Sequence, residues 1–103
     1  MAPAGDITIG SVTVSAGKRT AYVDGVDADL TMQEFSLLYY LMERAGRIVS
    51  RTELATEVWH DECSLMSNTI DVSVCHLRSK IGDADRKMIR SIRGVGYFYA
   101  VLA

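Results

Sequence analysis

Between positions 6 and 30 the chain changes from apolar to polar in steps of one. Ile7 and Ile9 alternate with polar neighbours, and so do Val12 and Val14. Gly17-Lys18 reads as a turn and Thr20-Ala21-Tyr22-Val23 as a strand. Asp24-Gly25 is a hairpin signal, because a tight two-residue turn needs residues that tolerate a left-handed backbone. Val26 to Leu30 is the return strand. A period of two puts alternate side chains on opposite faces, so this segment predicts an antiparallel sheet of three or four short strands. Such a sheet buries one face only and must pack on another layer.

At Thr31 the period lengthens. Thr31-Met32-Gln33-Glu34 has the form of a capping box, with a hydroxyl and a carboxylate each satisfying an orphan N–H. Phe35, Leu38, Tyr39, Leu41 and Met42 then recur at helical spacing to about Ala45, and Gly46 stops the helix. Ser50-Arg51-Thr52-Glu53 is a second capping box, opening a shorter helix that turns Leu54, Val58 and Trp59 inward. The stretch 60–66 (HDECSLM) reads as a loop. Ser67 caps a third helix, 67–81, and Gly82 ends it. Residues 83–87 (DADRK) form a charged turn, and 88–101 a hairpin around Gly94 and Gly96. The order predicts an α+β fold: a winged helix-turn-helix with an N-terminal antiparallel β-sheet, a three-helix core and a C-terminal β-hairpin wing. Residues 1–5 (MAPAG) read as a linker remnant or disordered terminus, and 6–103 as one domain.

The third helix carries an unusual outer face. Ile70, Val74, Leu77 and Ile81 form its apolar stripe. At ~100° per residue the opposite side holds Asn68, Thr69, Val72, Cys75, His76 and Ser79, with no Lys, Arg, Asp or Glu. Solvated faces are usually charged. A helix that enters a major groove needs short groups able to exchange hydrogen bonds with base edges, or a methyl to touch thymine. Asn68, Thr69, Val72, Ser73 and His76 are such a set, with Arg78 and Lys80 on the flanks to meet phosphate.

Net charge is −2, which by itself speaks against a nucleic-acid partner. The average conceals an asymmetry. Residues 1–65 hold five Lys/Arg against ten Asp/Glu, or −5; residues 66–103 hold six against three, or +3. The basic half contains the third helix and the hairpin, where Arg90 and Arg93 lie.

Three blocks carry a family resemblance: LTMQEFSLLYYLMERAGRIVSRTELATEVW (30–59), SNTIDVSVCHLRSKI (67–81) and IRSIRGVGYFY (89–99). The chain resembles, over nearly its whole length, the C-terminal effector domain of OmpR/PhoB-type response regulators, the transcription factors of two-component systems. A basic residue followed by GVGY is the most specific element. The resemblance implies sequence-specific binding of double-stranded DNA as a head-to-tail dimer on direct repeats. It places Asn68, Thr69, Val72, Ser73, Cys75, His76 and Arg78 in the major groove, Lys80 on phosphate, and Ser91 and Arg93 on the wing. It also implies a contact of loop 59–67 with RNA polymerase, a cytoplasmic location, and an upstream receiver domain to which nothing in this sequence is similar. Two positions depart from the pattern: Cys75-His76 stand where many relatives carry Arg, and Phe98 where a basic residue is frequent. Each missing cation should weaken phosphate affinity and flatten its salt dependence.

Other chemistries find few parts. His60, Cys63, Cys75 and His76 are the candidate metal or redox ligands, but no CxxC pair is present and adjacent helical residues diverge by ~100°. Two thiols make no disulfide framework and read as free and reduced. The acids of DGVDAD (24–29) lack the order of a calcium loop. No triad, phosphate loop or paired acids suggest an enzyme, no cofactor is implied, and no apolar run is long enough for a membrane span. The competing reading is a winged helix used for protein–protein interaction without DNA binding.

Overall fold

The computed structural model describes residues 6–60 and 68–101. Strands β1 (Asp6–Ile9), β2 (Val12–Ser15), β3 (Thr20–Val23) and β4 (Val26–Asp27) form an antiparallel meander in chain order. Asp24 and Gly25 both take positive φ (51° and 83°), the backbone of the tight turn that their sequence foretold. The return strand is shorter than its sequence suggests. The Asp27 carboxylate accepts from the Asp29 N–H at 2.7 Å, and Asp29 goes to φ 56°, so the chain leaves the ladder after Asp27.

Helices α1 (Met32–Glu43), α2 (Arg51–Glu57) and α3 (Thr69–Ile81) follow. Thr31 and Glu34 make both bonds of the first capping box. The second is half made: Ser50 Oγ accepts from Glu53 N–H at 3.0 Å, but the Glu53 carboxylate turns to Arg47 at 2.7 Å and to the Tyr40 hydroxyl. A guanidinium is a stronger partner than a neutral N–H, so it takes the carboxylate. Ser67, expected to cap α3, lies outside the described residues. Gly82 closes α3 in the left-handed conformation, at φ 75°.

One core joins the layers. Val12, Val14 and Ala21 of the sheet pack with Phe35, Leu37, Leu38, Leu41 and Met42 of α1, and the far side of α1 meets Ile70, Val74, Leu77 and Ile81 of α3. The connection after α3, read as a charged turn, is built on a buried acid. Asp83 is 2% exposed, and its carboxylate accepts from the N–H groups of Lys87, Met88 and Ile89 at 2.8, 3.0 and 2.8 Å. Those bonds start the hairpin of β6 (Ile89–Ile92) and β7 (Gly96–Tyr99).

The hairpin is one strand wider than its sequence suggests. A two-residue strand, β5 (Val49–Ser50), pairs with β7 and gives a second sheet ordered β5-β7-β6. Gly96 is the reason β5 fits. A Cβ there would stand 2.0 Å from the Val49 carbonyl oxygen and 2.8 Å from Ser50 Cα, which are backbone atoms that cannot swing aside. Gly94 instead supplies the wing turn, at φ 78°, with open space around it. Gly96→Ala should therefore cost ~3 kcal/mol or more, the upper end of overpacking penalties. Gly94→Ala should cost only the ~1–2 kcal/mol of a left-handed alanine. Urea denaturation of both variants checks the ranking, and equal losses would contradict it.

Candidate nucleic-acid interface

Helix α3 is oriented by its inner stripe. Ile70, Val74, Leu77 and Ile81 are all at most 1% exposed, so the opposite side must face outward. On that side Asn68, Val72, Cys75, His76 and Ser79 are exposed, and Thr69 is half-buried at the first turn. Asn68 occupies the N-cap position without making a capping hydrogen bond. Cys75 is a free, exposed cysteine. Ser73 is half-buried and lies on the flank of Lys80 rather than on the outer face.

The two flanking cations are both engaged within the domain. Arg78 is half-buried, and its Nε and Nη2 donate to the Ile89 carbonyl at 3.0 and 2.7 Å, anchoring the base of the hairpin to α3. Burial, and then the nearby Arg86 charge, lower its pKa, though an arginine stays protonated. Lys80 points the other way. Its ammonium lies 2.7 Å from Glu34 Oε1 and donates to the Asp29 carbonyl at 3.1 Å, tying the end of α3 to the start of α1. Lys80 was expected on phosphate. In this structure its ammonium pairs with Glu34, because ~80° of rotation from the outer face brings it over the acidic first turn of α1.

The acid of α3 is held as well. Asp71 accepts from the Tyr97 hydroxyl and pairs with Arg51. The Tyr97 hydrogen bond lowers its pKa most, burial opposes, and Arg51 adds to the lowering. With Asp71 neutralised, positive charge dominates the hairpin side. Among the described residues Arg86, Lys87, Arg90 and Arg93 make no ion pair. Ser91 and Arg93 are exposed on the wing, and Arg93 lines a shallow cleft beside Arg51 and Asp71. A larger cleft of about 470 Å³ separates α3 from the hairpin, with Cys75, Ser79, Arg86 and Ser91 on its walls. The structure thus brings Asn68, Thr69, Val72, Cys75 and His76 onto one face, with Ser91 and Arg93 beside it. Arg78, Lys80 and Ser73 fall on the flanks. No group of His, Cys, Asp or Glu among the described residues is placed to hold a metal ion, and Cys63 lies outside them.

Residues 25–99 match the family model described as transcriptional regulatory protein, C terminal. The chain belongs to this family, the effector domains of OmpR/PhoB-type response regulators. It is 40% identical to the transcriptional regulatory protein HprR of Escherichia coli over 80 residues, which are 77% of this chain and 36% of that protein. It is 34% identical to the response regulator ArlR of Staphylococcus aureus over 92 residues, 88% of this chain and 42% of that protein. The chain therefore spans about two-fifths of the length of these relatives. Among solved structures, the DNA-binding domain of CpxR from E. coli superposes with a TM-score of 0.85 at 31% identity, covering 97% of this chain and all of that one. The RstA DNA-binding domain of Klebsiella pneumoniae, in complex with the RstA box, gives 0.84 at 28% identity, covering 92% and 96%.

This OmpR/PhoB-type domain also contains contacts between distant segments that its sequence hid. Asp71, Tyr97 and Arg51 meet from three elements far apart in the chain, and no local pattern pairs them. Asp83 had a readable signal, an Asp directly after a helix-ending Gly and before a strand.

The charged ties set a pH profile. Burial pushes the Glu34 carboxyl up, but hydrogen bonds from Lys80 and the Thr31 N–H, with the Lys80 charge, more than offset it, so its pKa falls below the ordinary 4.5. Asp71 lies below its ordinary 3.8. A lowered folded pKa gives stability that is full above the ordinary value and lost as pH drops through the folded one. Tyr97 and Tyr99, pushed to about 12 chiefly by burial, give the opposite limb, full below pH 10 and lost towards 12. Melting temperature should thus be flat from pH 5 to 9 and fall on either side. Glu34→Gln should lower the plateau and make the acid limb shallower; an unchanged acid limb would show that the Lys80 tie contributes nothing.

Proposed function

We propose that this chain binds double-stranded DNA sequence-specifically, as the effector domain of a two-component transcriptional regulator. Helix α3 enters the major groove, and the β6–β7 wing approaches the neighbouring minor groove. The observation that carries this reading is the uncharged, hydrogen-bonding outer face of α3 beside a wing whose arginines make no ion pair among the described residues. Asn68, Thr69, Val72, Cys75 and His76 are the base-edge contacts, and Ser91 and Arg93 the wing contacts. Ser73 and Arg78 border the groove. Lys80 acts inside the domain. The RstA domain, solved with its DNA box, supports the same use of this fold. Two copies bind head to tail on direct repeats, and the 59–67 loop, most of it outside the described residues, meets RNA polymerase. No helix among the described residues is long and apolar enough to cross a membrane, in keeping with a cytoplasmic regulator.

The test is a salt titration on random duplex and on a selected pool. Binding should weaken with salt, and the pool should enrich a direct repeat with half-sites ~10–11 bp apart. Arg93→Ala should reduce the salt slope by about one and weaken all sequences alike. His76→Ala should cost ~1–3 kcal/mol on the selected site only. Lys80→Met should lower the melting temperature and leave the salt slope unchanged. If no sequence enriches at low salt, the neutral face reads no bases, and the protein–protein reading takes its place.

A further inference from the structure

The hairpin is joined to α3 at two separate points. At the first, Asp71 in the opening turn of α3 accepts the Tyr97 hydroxyl of β7, and the Arg51 guanidinium from the start of α2 closes on the same Oδ1. At the second, Arg78 donates twice to the Ile89 carbonyl of β6. The points are seven residues apart on the helix, or ~10 Å along its axis. On the sheet, Tyr97 stands opposite Ser91, two residues from Ile89, so they are ~7 Å apart along the strands. The base of the hairpin is already anchored, because β7 pairs with β5 and Ile89, Tyr97 and Tyr99 share the core with Val74, Leu77 and Ile81; what remains to be set is the tilt of the outer hairpin towards α3. Two ties at different places on two stiff elements fix both separation and angle. Between them lies the open cleft, so along the outer hairpin the two ties are the contacts that face α3.

We propose that Asp71 and Arg78 are positioning residues that set the angle between the groove-reading helix and the wing, so that both address one duplex at once. This rests on the DNA-binding reading above. Asp71 is suited to the task because its carboxylate gathers three elements: α2, α3 and β7. Tyr97 is 7% exposed and part of the core, so its hydroxyl offers Asp71 a fixed point.

Tyr97→Phe tests this with little risk to folding, since it keeps the buried ring and removes only the donor. In the free protein, residual dipolar couplings should show α3 and β6–β7 as one rigid body, and in Tyr97→Phe the outer hairpin, 91–96, should change its tilt relative to α3. On the selected duplex Tyr97→Phe should lose about tenfold in affinity and on random duplex much less, and adding Arg93→Ala should then cost less than it does in the wild type, a coupling between residues that do not bond each other. Asp71→Asn, which can still accept from Tyr97, should be milder than Asp71→Ala. A purely structural tie would lower the melting temperature and leave the couplings, the selectivity and the additivity unchanged, and that result would overturn the proposal. Wild-type protein that selects no DNA would instead bring down the DNA reading, whatever the couplings show.

Discussion

The burial of one helical stripe governs everything that the outer face of α3 can do. Ile70, Val74, Leu77 and Ile81 are sealed against α1 and the rest of the core. Each such side chain contributes about 1.5–3 kcal/mol on leaving water. The four together far exceed the fraction of a kcal/mol that an exposed ion pair adds. The stripe therefore decides the rotation of the helix, and the charged ties adapt to it. A slip of one residue would turn α3 by ~100° and carry Cys75 and His76 out of their places. Lys80 shows the same hierarchy. Its sequence suits a phosphate contact, but the stripe rotates it towards Glu34.

The acidic net charge finds its explanation in this arrangement. A count of residues treats all charges as equal, whereas the fold pairs many of them. Glu34 with Lys80, Glu53 with Arg47, and Asp71 with Arg51 take three acids and three bases out of the long-range field. Asp83 is sealed beneath backbone donors. Among the described residues, the C-terminal cations that make no ion pair are Arg78, which donates to a carbonyl, and those of the wing and of the turn before it. The pairs take out equal numbers of acids and bases, so the total stays at −2, and the positive sign of residues 66–103 comes from where the cations lie, six Lys/Arg against three Asp. Phosphate responds to the field within about a Debye length, not to the total.

Much of this was legible because it is periodic or local. The meander, the three helices, Gly82 as a stop, and the inner and outer faces of α3 all follow from spacing and turn chemistry. What stayed hidden depends on meetings between distant segments. β5 is two residues long, too short for any period, and exists because Gly96 lets β7 approach Val49. The second capping box looked complete because its letters were right. A competing guanidinium three residues upstream of Ser50 decided otherwise. Arg78 and Lys80 looked alike as basic flanks two residues apart. The helix sends them about 200° apart in direction, one to the hairpin and one to α1.

The departures at Cys75, His76 and Phe98 sharpen what this surface is built for. A central arginine on α3 would add phosphate attraction and sequence-independent affinity together. Neutral side chains add neither, so discrimination rests on hydrogen bonds and methyl contacts that form only when the bases are right. On the proposed DNA-binding reading, attraction to the backbone is left to the wing and the turn before it, at Arg93, Arg90, Arg86 and Lys87. A reader divided in this way, with bases met by one element and phosphates by another, works only if the two elements hold a fixed relation. In the proposal above, half-buried Arg78 and the Asp71–Tyr97 contact set that relation. The neutral helix and the double tie are two sides of one solution.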